Sequence, residues 1–205
     1  MAEVSRASGP RTALLALRRW QESDLAPFAE LNADPETMEF FPAPLTRAES
    51  DDLVRRIEAT IDAEGYGFWA VERRSDARFI GMVGLSPVRF AVHFAPTVEI
   101  GWRLARPYWG RGYASEAATA SLAFGFEELG MDEIVSFTSL SNTRSAAVMA
   151  RIGMHRDPSE DFDHPRIPVG HPLRRHQLWR LRSNEWAEGA APRAPAGGEA
   201  RDARR

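Results

Sequence analysis

The sequence predicts a mixed α/β domain, and three observations carry that expectation. Segments with strand-like alternation are interleaved with segments of helical period, in the order β-α-α-β-β-β-α-β-α-β-β. The stretch from Glu99 to Ala117 reads as a strand that runs through a glycine turn straight into a helix. A chain of 205 residues, 43% hydrophobic and 27% charged, suits one domain with enough length to bury a core.

Residues 1–10 are polar and are expected to form a loose tail, and Thr12 to Trp20 reads as the first strand. Ser23 stands where it would cap a helix over residues 24–32, stopped by Pro35. Phe40-Phe41-Pro-Ala-Pro is an apolar loop that two prolines keep irregular. Thr46 and Glu49 make a capping box, and Leu53, Ile57 and Ile61 form a helical stripe ending near Gly65. Residues 68–73 and 79–88 read as antiparallel strands joined at Ser75-Asp76.

Residues 97–104 alternate and are rich in Val, Ile, Trp and Leu, which predicts a strand. Pro107 ends its pairing, and Gly110 and Gly112 permit a tight turn. From Tyr113 a helical stripe follows through Ala114, Ala118, Leu122, Phe126 and Leu129. Residues 134–138 form a short strand, and Ser141-Asn142 opens a helix that runs to Ile152 and stops at Gly153. A strand over 154–162, a loop marked by Pro165, Pro168 and Pro172, and a last strand over 176–182 complete the order. From Ala187 onward the composition has no period, so the domain is expected to span 11–184, with 185–205 as a disordered tail.

The strand-turn-helix stretch aims free backbone N–H groups and the positive end of a helix dipole at one point, which suits phosphate. It is not a P-loop, which needs Gly-Lys-Ser/Thr, because all 26 basic residues are arginine. A dinucleotide loop would want a third glycine where Ser115 stands, and an acidic residue where the chain has Ser139-Leu140-Ser141.

Trp109-Gly-Arg-Gly112-Tyr-Ala114 does resemble the coenzyme A loop of the GNAT acetyltransferase superfamily, Q/R-x-x-G-x-G/A, with Trp109 at the first position. The longer run Tyr-Trp-Gly-Arg-Gly-Tyr-Ala-Ser-Glu-Ala looks like the RimJ/RimL-type branch that contains the ribosomal-protein N-terminal acetyltransferases. Asn142-Thr-Arg-Ser145, continuing to Ile152-Gly153-Met154, is similar to the family's second element, N-x-x-S/A…G-F/M. The resemblance covers about residues 11–184. It implies a mostly antiparallel twisted sheet splayed at its middle strands, with helices on both faces.

The resemblance also implies acetyl-CoA as the cofactor and an N-acetyltransferase that hands the acetyl group to a primary amine. Arg111, Gly112, Tyr113 and Ala114 would cradle the pyrophosphate with their backbone, Gly110 and Gly112 would keep side chains out of the way, and Arg111 and Arg106 would add charge. The backbone near Ile100, Gly101 and Trp102 would polarise the thioester carbonyl. Asn142 matches a cofactor-facing position and is equally a good helix cap. Many relatives carry a tyrosine that protonates the departing thiolate where this chain has Met149, which leaves Ser145 as the candidate for that task.

Glu99, within the central strand and on the side of Gly101 and Arg103, is the candidate base or an ion-pair partner of Arg103 or another arginine. Glu160, Asp161, Asp163 and His164, followed by His171 and His176, either bind a cationic acceptor or solvate a loop. Their spacing matches no metal pattern.

With no cysteine the chain has no disulfide and no cysteine acyl-enzyme, so attack within a ternary complex is expected. A formal charge of −3 gives no sign of nonspecific nucleic-acid binding. No run approaches transmembrane length and Met1 to Arg11 has no apolar segment, so a cytoplasmic protein is expected. A peptide N-terminus and a small amine such as an amino acid, polyamine or aminoglycoside stay open as acceptors, and so does a homodimer. The rival reading is a non-catalytic acyl-CoA-binding module.

Overall fold

The computed structural model describes residues 9–190. Its elements are β1 (Leu15–Arg18), α1 (Glu22–Ala33), α2 (Arg47–Glu64), β2 (Phe68–Arg73), β3 (Arg78–Pro87), β4 (Val98–Leu104), α3 (Tyr113–Ala123), β5 (Glu133–Ser139), α4 (Thr143–Arg151), β6 (His155–Arg156), β7 (Phe162–Asp163), β8 (Arg175–Arg182) and α5 (Ser183–Ala190). They follow the predicted mixed α/β order closely. The strands form one sheet in the order β1-β2-β3-β4-β5-β8-β6, with β7 also paired to β8. Every pairing is antiparallel except β4 with β5.

Local chemistry explains most boundaries. Thr46 and Glu49 form the expected capping box, and Gly65 ends α2 in the left-handed region. At α1 the cap is Gln21, two residues before the expected Ser23, because Asp24 reaches back to the Gln21 N–H. Asp24 is fully buried there and is held by both nitrogens of Arg18, at 2.6 and 2.9 Å. The strand expected over 154–162 is instead two two-residue strands, β6 and β7, separated by a 3-10 turn at Pro158.

The described structure reaches into both expected tails. Pro10 accepts a hydrogen bond from the Leu17 N–H at 3.0 Å. Residues 185–190, placed in the tail by composition, belong to α5. There Trp186 stacks on Phe126, with ring centroids 5.8 Å apart, and donates to Glu127 at 2.9 Å. The apolar ring of Trp186 supplies the packing that the rest of the segment lacks. Residues 1–8 and 191–205, the remainder of both expected tails, lie outside the described residues.

The main core joins Trp69, Phe28, Ile80, Leu85, Ile100 and Leu122 between the sheet and its helices. A second cluster of Val88, Phe94, Val135, Phe162 and Leu178 covers the β5–β8 end. Close approach of backbones requires glycine on β3 at both Gly81 and Gly84. A Cβ on Gly84 would stand 2.0 Å from the Gly67 carbonyl oxygen. Gly84→Ala is therefore expected to cost at least ~1–3 kcal/mol, read as a drop of several degrees in melting temperature, because backbone cannot yield as a side chain can.

Candidate active site

Gly110 and Gly112 adopt φ of +69° and +82°, which glycine reaches without strain. A Cβ at either would meet nothing within 4 Å, so the space over the turn is open. Gly112 is the N-cap of α3 and offers no side-chain acceptor, leaving the N–H groups of Tyr113, Ala114 and Ser115 without capping partners. The acid of this first turn, Glu116, is drawn away to Thr12 Oγ1 at 2.5 Å and the Leu14 N–H at 2.9 Å. Free donors and the positive helix end thus face open space, an arrangement that fits a pyrophosphate.

Arg111 is exposed on this turn. Arg106 departs from expectation: Glu36 holds its guanidinium at 2.7 Å, with Asp34 at 3.9 Å. It lines a groove with Arg18, Phe79 and Trp109, where Asp34 and Glu36 of the segment after α1 meet it. Trp109, standing where the family motif has Gln or Arg, donates its indole N–H to the Leu104 carbonyl at 2.6 Å and so ties the turn to β4.

The sheet opens beside this turn. β4 and β5 pair only at Val98 with Ile134 and at Glu99 with Val135, although both strands run on. Beyond that point Ser136 Oγ donates to the Ile100 carbonyl at 2.9 Å. The β3–β4 register is unbroken, and the Ala105 N–H bonds the Ile80 carbonyl at 2.9 Å. Backbone groups alternate along a strand, so the odd residues of β4 face β3 and the even ones face the gap. Ile100 still adjoins the last ladder pair, Glu99 with Val135, so of Ile100, Gly101 and Trp102 it is Trp102 that turns its N–H into the opening, while the Gly101 N–H is directed at β3.

Glu99, Gly101 and Arg103 share the sheet face covered by α1, α2 and the loop between them. Among the described residues Glu99 forms neither an ion pair nor a side-chain hydrogen bond. Crowding around its carboxyl pushes the pKa up to about 7, while the charge of Arg166 opposes that shift. The residue itself keeps partial solvent exposure. An ion pair with Arg103 is not formed, since four strand residues separate their Cα atoms by about 13 Å. The Phe68 ring also lies between them, 3.1 Å from where a Gly101 Cβ would be.

The acids of the other polar cluster are all engaged. Glu160 is held by Arg180 at 2.7 Å, Asp161 by Arg156 at 2.5 Å and Asp163 by Arg174 at 3.2 Å. Hydrogen bonding to arginine lowers the pKa values of Glu160 and Asp163. His164 and His176 sit 5.0 Å apart amid Phe90, Phe137 and Phe162, and burial lowers both, His164 to about 4. These residues hold a loop together.

Asn142 is committed to its cap. Its Oδ1 accepts the Ser145 N–H at 3.1 Å, and its Nδ2 donates to Thr138 Oγ1 at 2.8 Å and Ser145 Oγ at 3.1 Å. The Ser145 hydroxyl hydrogen is left free of that contact. Met149 is packed in the core at 1% exposure. Sequence reasoning overlooked Ser136, which looks like any strand serine until β5 swings away from β4. It also treated Arg103 only as a partner for Glu99.

The model of the acetyltransferase (GNAT) domain family matches residues 15–155. The chain is 30% identical over 142 residues to the uncharacterized protein YkkB of Bacillus subtilis, covering 69% of this chain and 81% of that protein. It is 31% identical to the FsC-acetyl coenzyme A-N(2)-transacetylase of Aspergillus fumigatus, over 61% of this chain and 55% of that one. The fold matches the crystal structure of a GNAT-family acetyltransferase from Bacillus anthracis with a TM-score of 0.71 and 26% identity, covering 85% of this chain and 98% of the other. With most of its length matched and the anion-receiving turn inside the match, the chain belongs to the GNAT family of acetyl-CoA-dependent N-acetyltransferases.

Proposed function

We propose that this chain transfers the acetyl group directly to a primary amine within a ternary complex, with Glu99 as the base. The observation that carries the reading is an unpaired carboxylate, poised near neutrality, at the point where β4 and β5 part. Acetyl-CoA supplies the activated acetyl thioester. The free N–H groups at the start of α3 hold its pyrophosphate, helped by Arg111. The Trp102 N–H, facing the gap, donates to the oxygen on which negative charge grows.

Glu99 takes the proton of the incoming amine, directly or through a water. The amine nitrogen bonds the carbonyl carbon, and as the carbon–sulfur bond breaks the Ser145 hydroxyl, steadied by the Asn142 amide, gives its proton to the sulfur and regains one from water. The motif run from Tyr108 to Ala117 supports placing the chain in the RimJ/RimL-type branch, and a cytoplasmic setting belongs to the same reading.

Glu99→Gln keeps size while removing basicity, and is expected to lower turnover on the order of 10²-fold with acetyl-CoA affinity near wild type. Wild-type activity should rise with pH through about 7 as the carboxyl ionises. Unchanged turnover per folded molecule would remove Glu99 as base. Stability gives a second signature. Between the ordinary carboxylate pKa of 4.5 and about 7, only the folded state holds this proton, so its contribution to stability falls as pH rises through that window. Melting temperatures of wild type and Glu99→Gln, compared from pH 5 to 8, should show that loss in the wild type alone.

Gly112→Asp places a side chain and a negative charge in open space at the start of α3. A folded protein that no longer binds acetyl-CoA by calorimetry is the expected outcome, and unchanged affinity would refute the cradle.

A further inference from the structure

We propose that the acceptor is a primary amine carrying a carboxylate a few bonds from its nitrogen, and that Arg103 receives that carboxylate. The inference rests on the acetyl-transfer reading of the same site and specifies its substrate class.

Arg103 is 9% exposed, yet among the described residues no carboxylate pairs with it. Burial lowers its pKa only to about 10, so it stays charged at neutral pH. A buried charge left uncompensated is costly, and folds normally supply a counterion. This chain does so elsewhere: Arg18 takes Asp24 and Glu72, Arg19 takes Glu58 and Asp62, and Arg180 takes Glu133 and Glu160.

What surrounds Arg103 is neutral and leaves one edge of the guanidinium unused. Nη1 donates to Asn32 Oδ1 at 2.5 Å, and Asn32 is held in turn by Ser50 at 2.9 Å. The Phe41 ring covers the planar face, 4.0 Å from the guanidinium carbon. Nε is buried with no partner, and Nη2 forms no hydrogen bond among the described residues. Nε and Nη2 together make the side-on fork that grips a carboxylate with two parallel bonds. Asn32 and Phe41 thus hold the plane still, and a carboxylate that reaches Nη2 would also satisfy the buried Nε beside it.

Position ties this fork to the chemistry. Arg103 lies on the same face of β4 as Glu99 and Gly101, about 7 Å of strand from Gly101. An amine near the opening, reached by Glu99 through water, and a carboxylate on Arg103 therefore belong to one small molecule or one residue. Near Glu99, Arg166 adds a second positive charge. Two cations around one site disfavour polyamines and aminoglycosides.

The test measures thiol release from acetyl-CoA with free amino acids, their carboxamides, spermidine, and peptides beginning with Asp or Ala. In wild type the acids are expected to exceed their amides in kcat/KM by about 10- to 100-fold, the range for one lost charge-assisted pair. Arg103→Gln should collapse that acid-to-amide ratio toward one through KM, leaving acetyl-CoA affinity by calorimetry intact. Arg103→Lys, which keeps the charge without the fork, should recover only part of the ratio, and it serves as the test variant should the glutamine variant not fold. Preference for free amino acids, or for Asp-initiated peptides over Ala-initiated ones, identifies which source of the carboxylate is used. Amides or spermidine turned over as well as the acids, or a ratio unmoved by either variant, would overturn the inference while leaving acetyl transfer standing. Thiol release with no amine at all would overturn both.

Discussion

The site depends on the brevity of one parallel pairing. β4 and β5 share two residues of ladder and then part, yet neither strand frays, because each is secured on its outer side. β4 runs seven residues in unbroken register with β3, and β5 runs seven with β8. The divergence is therefore a stable feature of the sheet. Ser136 satisfies the first carbonyl exposed by it, that of Ile100, and Trp109 satisfies the last, that of Leu104. Between them the Trp102 backbone is left facing the opening, where a buried unpaired amide is tolerated only if a ligand or water meets it.

The same opening sets where the helices must begin. β4 ends at Leu104, and the short turn through Gly110 and Gly112 starts α3 beside the mouth of the gap. α4 approaches from β5, pinned by the Asn142 contacts to Thr138. The two helices meet where Arg151 of α4 donates to Ser115 in the first turn of α3.

Electrostatics separates structural from chemical residues. Acids on the loops and helix surfaces are mostly matched with arginine, including the whole polar group around Glu160 and Asp163. Glu99 and Arg103 are exceptions on one face of one strand. They cannot neutralise each other, because strand spacing holds them too far apart and Phe68 stands between them. A carboxyl raised to about 7 and a guanidinium with an unpartnered edge follow from that enforced separation.

By itself the sequence determined the mixed α/β order, the capping box of α2, the glycine turn before α3 and the family resemblance. All of these are local signals, written in neighbouring residues or in turn chemistry that tolerates little else. It placed Glu99 within the central strand for the same reason. Only the tertiary structure decided what pairs with what. Arg106 went to Glu36, the acids near Glu160 went to arginines, and Trp186 turned an expected tail into α5. Ser136 gained its place from the parting of two strands, and among the described residues Arg103 was left without a carboxylate. Ion pairing and burial depend on which distant segments meet, and a chain of 26 arginines offers many partners that local sequence cannot rank.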